Sequence, residues 1–120
     1  MSEIDRYELH RRLREDGFVV LDVRGRAEYT GEAVAPCDPR PGRIPGAVHL
    51  DVNELFGLDA AAVRERLGDP EDVELATYCH SGSRSELAAQ ILARYGYRVS
   101  NYRGSWHEWS RLEELPAETG

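Results

Sequence analysis

Hydrophobic and polar positions along the chain form two alternating patterns. Apolar runs, typical of buried parallel strands, occur at residues 18–23 and 73–78, and shorter strands are predicted at 47–50 and 99–102. Apolar residues at helical spacing predict helices over 6–15, 52–57, 60–67, 83–95 and 106–112, with a short helical turn at 27–29. This alternation predicts an α/β fold in which a parallel sheet has helices on both faces.

The helix predicted at 83–95 is the best specified of these elements. Its apolar side chains recur with a helical period and form one stripe: Leu87, Ala88, Ile91, Leu92 and Tyr95. Ser83 and Glu86 have the spacing of a capping box, and Gly96 supplies a stop. We therefore expect the helix to begin at Ser83 with its own side-chain cap.

A cysteine stands where the strand at 73–78 gives way to this helix. Cys79 is followed by a short polar loop, so its thiol is expected to face the free backbone N–H groups of a helix N-terminus. Partial positive charge at that position favours the thiolate, which is the reactive form of cysteine. The pattern predicts a nucleophile, and the alternative is an inert buried cysteine that acts as a small hydrophobe.

Loop length separates two chemistries that share this layout. Cysteine-based phosphatases and arsenate reductases have a similar loop, but in them five residues separate the cysteine from an arginine. Here four residues separate Cys79 from Arg84, and Ser85 takes the next position. A shorter loop makes a tighter ring of amides, which suits a sulfur atom better than a tetrahedral phosphate.

Four segments in this order resemble the signature motifs of the rhodanese domain, over nearly all 120 residues. They are closest to the catalytic half of thiosulfate and mercaptopyruvate sulfurtransferases. The segments are Val20–Arg24 with Glu28–Gly31, then Gly42–Leu50, Tyr78–Ser85 and Tyr102–Trp109. The resemblance implies a rhodanese-like three-layer fold, with a mainly parallel five-stranded sheet and helices on both faces. It also implies that residues 1–120 form a single domain.

The resemblance further implies a sulfurtransferase with Cys79 as its catalytic residue. Sulfane sulfur would move from an anionic donor, with thiosulfate favoured, through a Cys79 persulfide to cyanide, a small thiol or a protein thiol. Two alternatives stay open: a non-catalytic or regulatory rhodanese-like module, and a cysteine phosphatase or arsenate reductase. Neither donor class is matched. Thiosulfate enzymes carry basic residues just after the cysteine and an arginine where Glu28 stands, and mercaptopyruvate enzymes have Val-Thr where this chain has Ser83-Arg84, so the donor stays open.

The expected substrate-binding residues are those of the loop: His80, Ser81, Gly82, Ser83 and Arg84. Arg84 can grip an anion with two hydrogen bonds, and the alternative is a surface arginine that pairs with Glu86 or Glu28. His80 as imidazolium would help to hold the donor, unless it is a solvated loop residue.

Several other conspicuous residues have a structural interpretation. The resemblance gives Asp22 and Arg24 a pairing role beside the site, whereas Trp106 and Trp109 are expected to anchor the core. Cys37 lies in a proline-rich loop and is either an incidental surface thiol or a resolving thiol for Cys79.

The composition of the chain argues against some classes of binding partner. Fifteen basic and twenty-two acidic side chains leave a net charge of −7, which argues against nucleic-acid binding. The polar residues 1–14 do not read as a signal peptide, and no apolar run is long enough for a membrane span. We therefore expect no membrane partner and a cytoplasmic location, where a free thiol persists. No cofactor is expected, and no metal site, because the histidines lack ligand partners at the usual sequence spacing.

Overall fold

The computed structural model describes residues 1–120. Its five strands are β1 (Ser2–Glu3), β2 (Phe18–Asp22), β3 (Val48–His49), β4 (Glu74–Tyr78) and β5 (Arg98–Asn101). Its six helices are α1 (Arg6–Arg12), α2 (Arg26–Thr30), α3 (Val52–Leu55), α4 (Ala60–Leu67), α5 (Ser83–Arg94) and α6 (Ser105–Trp109).

The strands form one sheet in the order β1-β5-β4-β2-β3, and every neighbouring pair is parallel. The predicted α/β class and five-stranded parallel sheet are therefore confirmed. Strand β4 lies at the centre, between β2 and β5. Because the strands are parallel, all their carboxyl ends meet at one edge, where ligands usually bind in such folds.

Two hydrophobic cores cover the two faces of this sheet, because successive side chains of a strand point to opposite faces. On one face Leu21 and Leu75 pack with the helices α3, α4 and α5. On the other face Val20 and Ala76 pack with α1 and α6, and both tryptophans of α6 are buried there. The three layers, with helices on both faces, are as predicted.

Two local features differ from what the sequence predicts. Strand β1 was not predicted, because it consists of two polar residues that are held only by pairing with β5. Leu87 belongs to the predicted apolar stripe of α5 but is 43% exposed, and Ala89 is fully buried on the core side instead.

A buried ion pair fixes the chain just after β2. The Arg24 guanidinium donates to the Asp22 carboxylate at 2.6 Å, and the Tyr78 hydroxyl donates to the same carboxylate at 2.7 Å. Arg24 also donates to the carbonyl oxygen of Gly42 at 2.7 Å. The pairing that the resemblance implied is therefore present, and it ties β2, β4 and the following loop together at the carboxyl edge.

The longest helix, α5, has 12 residues, and none of the helices has the length and hydropathy that a membrane span needs.

Candidate active site

The side chain of Cys79 lies directly after β4, at the carboxyl edge of the central strand. The residue is 1% exposed. Its Sγ accepts hydrogen bonds from the backbone N–H of Gly82 at 3.1 Å and of Ser85 at 3.4 Å. The loop therefore curls around the sulfur and directs backbone donors at it, as the sequence predicted.

The tight curl depends on Gly82. This residue has a φ of +100° and is the N-cap of α5, so Ser83 is the first helical residue and the predicted Ser83–Glu86 capping box was wrong. A Cβ at this position would lie 2.7 Å from the carbonyl oxygen of Arg103. The loop needs a left-handed residue in close contact with a neighbouring backbone, and only glycine satisfies both requirements.

A buried polar network supports the loop from below. The Thr77 hydroxyl donates to the carbonyl oxygen of Ser85 at 3.0 Å, and the Asn101 amide donates to the carbonyl oxygen of Gly82 at 3.3 Å. Both supporting side chains are buried, which makes their satisfied hydrogen bonds important for the loop's position. Sequence reasoning missed Asn101, because β5 has the sequence Arg-Val-Ser-Asn and no pattern in it sets Asn101 apart.

Ser105 closes the site from the opposite side and was also missed. Its hydroxyl accepts from the backbone N–H of Cys79 at 3.1 Å and donates to the carbonyl oxygen of Tyr102 at 2.9 Å. Ser105 is the one residue other than glycine with a positive φ, +55°. Such strained positions persist where the surroundings hold them, which here is the contact with the loop.

The start of α6 contributes backbone donors to the same loop. The N–H of Trp106 donates to the carbonyl oxygen of Cys79, and the N–H of His107 donates to that of His80, both at 2.9 Å. The loop carbonyls are thus bound to α6, while the N–H groups of Gly82 and Ser85 remain directed at the sulfur.

The pKa of the Cys79 thiol is lowered from its ordinary value. Burial by itself raises this pKa, but hydrogen bonds to the sulfur from the Ser85 side chain and from the N–H groups of Ser85, Gly82 and Ser81 outweigh it. The Ser85 hydroxyl also donates to the Gly82 carbonyl oxygen, at 3.1 Å. The donors are therefore the backbone N–H groups at the helix N-terminus, as expected, together with Ser85.

Arg84, at the end of the loop, is paired with Glu28. Its two guanidinium nitrogens lie 3.2 and 3.4 Å from the two carboxylate oxygens, and the two side chains are 40% and 32% exposed. Burial by itself raises the pKa of Glu28, but the hydrogen bonds from Arg84 and from the N–H of Gly25 lower it overall. Glu28 is one of the two partners, Glu86 and Glu28, that the surface-arginine alternative named.

The His80 side chain contacts the segment between α2 and β3. Its Nε2 lies 2.9 Å from an Asp38 carboxylate oxygen and 3.8 Å from the Sγ of Cys37, and its ring contacts that of His107. Both cysteines are free thiols. Of the five expected loop residues, Ser81 and Ser83 are exposed and Gly82 is buried. His80 and Arg84 are partly exposed, and each is paired with a carboxylate.

Comparison with known proteins places this geometry in a family. Residues 5–112 match the rhodanese-like domain. The thiosulfate sulfurtransferase of Azotobacter vinelandii is 35% identical over 116 residues, which is 89% of this chain and 42% of that protein. The sulfur carrier protein TtuD of Thermus thermophilus is 32% identical over 91% of this chain and 44% of that protein.

Solved structures give the same result. A probable thiosulfate sulfurtransferase superposes with a TM-score of 0.80 at 40% identity, covering 97% of this chain and 47% of that one. A structure of EanB, with ergothioneine covalently linked to a persulfide cysteine, has a TM-score of 0.81 at 28% identity over 98% of this chain and 32% of that one. The chain spans less than half the length of these relatives. With its fold, its cysteine loop and the match over residues 5–112, the chain belongs to the rhodanese-like domain family.

Proposed function

We propose that the chain is a sulfurtransferase that carries sulfane sulfur on Cys79, with thiosulfate as the donor. The observation that carries the proposal is the pair of backbone N–H groups, of Gly82 and Ser85, directed at the Cys79 sulfur. Relatives named thiosulfate sulfurtransferase support it. The persulfide cysteine in the EanB structure supports the covalent intermediate.

The reaction has two half-reactions. The Cys79 thiolate attacks the outer sulfur of thiosulfate, a new S–S bond forms, and the original S–S bond breaks with its electron pair leaving on sulfite. The enzyme then holds a Cys79 persulfide. An acceptor nucleophile attacks the outer sulfur, and the Cys79 thiolate leaves; with cyanide the product is thiocyanate. Such a double displacement gives ping-pong kinetics.

The loop amides would stabilise each anionic stage. The N–H groups of Gly82 and Ser85 are fixed dipoles at the sulfur, so they need no reorganisation as negative charge moves onto the outer sulfur. In the persulfide, Cys79 Sγ is neutral and the outer sulfur carries the charge. We infer that the exposed Ser81 and Ser83 lie where their polar groups can reach the donor.

Arg84 is the proposed anion-binding residue. Its guanidinium is bound to Glu28, so the donor must replace that carboxylate. The exchange substitutes one anion for another on a half-exposed arginine, which keeps its charge-assisted hydrogen bonds. His80 is a weaker candidate, because it would have to leave Asp38 before it could contact the donor.

The physiological acceptor is proposed to be a small thiol or a protein thiol. One relative is named a sulfur carrier protein, which supports the proposal that this chain passes its sulfur on to another molecule. A cytoplasmic location would keep both thiols free. Residues 1–120 would act as a single domain.

Thiocyanate formation tests this function. Purified protein is incubated with thiosulfate and cyanide, and initial rates are measured over a grid of both concentrations. We expect parallel double-reciprocal lines, activity that persists in Cys37→Ser, and none in Cys79→Ser. Hydrolysis of p-nitrophenyl phosphate without thiocyanate formation would favour the phosphatase instead. A lack of both activities would favour a non-catalytic module.

A further inference from the structure

Four side chains with metal-binding atoms converge on the outer side of the Cys79 loop. Cys37 and Asp38 come from the segment between α2 and β3, His80 from the loop, and His107 from α6. One donor atom from each lies within 4.8 Å of all the others. Sequence spacing did not reveal this set, because its members are separated by up to seventy residues (37 to 107) and are brought together by the fold.

The separations between the donor atoms are close to those of a metal site. His80 Nε2 lies 2.9 Å from Asp38 Oδ2 and 3.8 Å from Cys37 Sγ. His107 Nδ1 lies 3.6 Å from Asp38 Oδ1. In a tetrahedral zinc site with ordinary bond lengths, neighbouring donor atoms are about 3.3–3.8 Å apart. Small side-chain rotations would therefore bring the four donors onto one ion.

The backbone that carries Cys37 and Asp38 is fixed in place. Arg40 donates hydrogen bonds to four carbonyl oxygens at and after the end of α6, those of Trp109, Ser110, Leu112 and Leu115, at 2.9–3.0 Å. The indole of Trp106 donates to the carbonyl oxygen of Arg40 at 2.9 Å. The two segments that supply Asp38 and His107 are therefore held at a set distance before any ion binds.

The Asp38 carboxylate is the centre of the cluster and is 1% exposed. The positive charge beside it comes from Arg111, whose Nη1 lies 3.3 Å from Oδ1. Arg111 also donates to the carbonyl oxygens of Cys37 and His107. Nη1 also lies 3.4 Å from His107 Nδ1. The guanidinium therefore has to turn aside from Asp38 and His107 when a cation binds, and Arg111 weakens the site.

We propose that Cys37, Asp38, His80 and His107 bind a divalent cation of the zinc type. One thiolate, one carboxylate and two imidazoles are borderline donors that suit Zn²⁺ better than Ca²⁺ or Mg²⁺. On binding, the Cys37 thiol releases its proton to solvent and both imidazoles bind as neutral groups. The ion would join His80 to the segment after α2 and keep that side chain from the donor. The site stands on its own geometry and does not depend on sulfur transfer by Cys79.

Anaerobic titration of the full chain with Co²⁺ tests this site. The Cys79→Ser variant is used so that Cys37 is the only thiol. We expect one equivalent of Co²⁺ to give the strong visible absorption of a tetrahedral site, together with a thiolate-to-cobalt band in the near ultraviolet. Addition of Zn²⁺ should displace the Co²⁺ and abolish both absorptions. Adding Cys37→Ser should remove the thiolate band. Adding His107→Ala removes a proposed ligand and should weaken binding at least about tenfold, since loss of an outer-shell partner alone costs about that much.

His10→Ala is the matched control, because His10 is an exposed histidine outside the cluster, and it should leave the titration unchanged. Far-ultraviolet circular dichroism verifies that each variant is folded. The proposal is overturned if Cys79→Ser gives no tetrahedral spectrum. It is equally overturned if the thiolate band survives only in proteins that contain Cys79, or if His107→Ala binds Co²⁺ as tightly as the His10→Ala control.

Discussion

The guanidinium of Arg84 lies 3.2 Å from the carboxylate of Glu28, at the end of the loop that begins with Cys79. The loop's positive charge is therefore already bound to an internal anion. An external anionic donor has to compete with Glu28, so these two residues should affect donor binding in opposite directions.

Replacement of Arg84 by alanine should weaken donor use. We expect Arg84→Ala to raise the KM for thiosulfate about tenfold, which corresponds to about 1.4 kcal/mol. This is near the low end for a charged hydrogen bond, because the side chain is 40% exposed. Discharge of a preformed persulfide by cyanide should change little. Arg98→Ala removes an exposed arginine on β5 and is the control. An unchanged KM in Arg84→Ala would assign Arg84 to the structural pairing alone.

Replacement of Glu28 by glutamine should have the opposite effect on KM. The Glu28→Gln side chain keeps an oxygen for the N–H of Gly25 but no longer competes as an anion, so we expect a lower KM for thiosulfate. Steady-state kinetics at constant ionic strength measure it. A higher KM would show that Glu28 positions Arg84 for the donor.

The same pair makes stability depend on pH. The pKa of Glu28 is lowered in the folded protein, so the pair stabilises the fold above the unfolded pKa of a glutamate, about 4.3. That contribution is lost as the pH falls through the folded pKa. In urea unfolding, the difference between the wild type and Glu28→Gln should therefore shrink from pH 7 toward pH 3. A difference that grows on acidification would contradict the assignment.

Cys79 should ionise more readily than a free thiol. Its lowered pKa means that the thiolate fraction at neutral pH exceeds that of a model cysteine, whose pKa is about 8.5. Iodoacetamide alkylation of Cys37→Ser, measured against pH with a chelator present, reports Cys79 alone. We expect a midpoint below that of a model thiol, moved upward by Ser85→Ala. A midpoint at or above the model value would remove the electrostatic basis of the mechanism.

Gly82 should tolerate alanine poorly. Both Gly82 and Gly46 have a positive φ, +100° and +80°, but a Cβ meets the Arg103 carbonyl oxygen only at Gly82 and nothing within 4 Å at Gly46. Gly46→Ala should cost about 1 kcal/mol of unfolding free energy through backbone strain, and Gly82→Ala at least about 1 kcal/mol more. Urea unfolding compares them, and equal losses would show that the loop relaxes around the added methyl group.

The order of the elements could be predicted from the sequence because most of them carry their own local pattern. Strands β2 and β4 are apolar runs, and α5 has a helical apolar stripe. Strand β1 could not be predicted, because Ser2 and Glu3 have no such pattern and are strand only through β5. The start of α5 at Ser83 was predicted, but its cap was not: Ser83 and Glu86 fit a capping box, whereas the curl around Cys79 places a left-handed glycine, Gly82, at the N-cap.

The site was predictable only where it is local in sequence. Cys79 and its loop are consecutive residues, and their spacing already distinguishes them from a phosphatase loop. Ser105 and Asn101 come from the other end of the chain and reach the loop only through the packing of β5 and α6. The contacts of His80 with Cys37 and Asp38 also arise only from the fold, because these residues are far apart in the sequence and no motif relates them.

The most direct test of the central claim, that Cys79 carries sulfur as a persulfide, is the intact mass of the protein after incubation with thiosulfate and removal of excess donor. We expect a gain of one sulfur atom, about 32 Da, that dithiothreitol reverses. Cys37→Ser should show the same gain, and Cys79→Ser should show none. A gain that persists in Cys79→Ser, or no gain in the folded wild-type protein, would contradict the account.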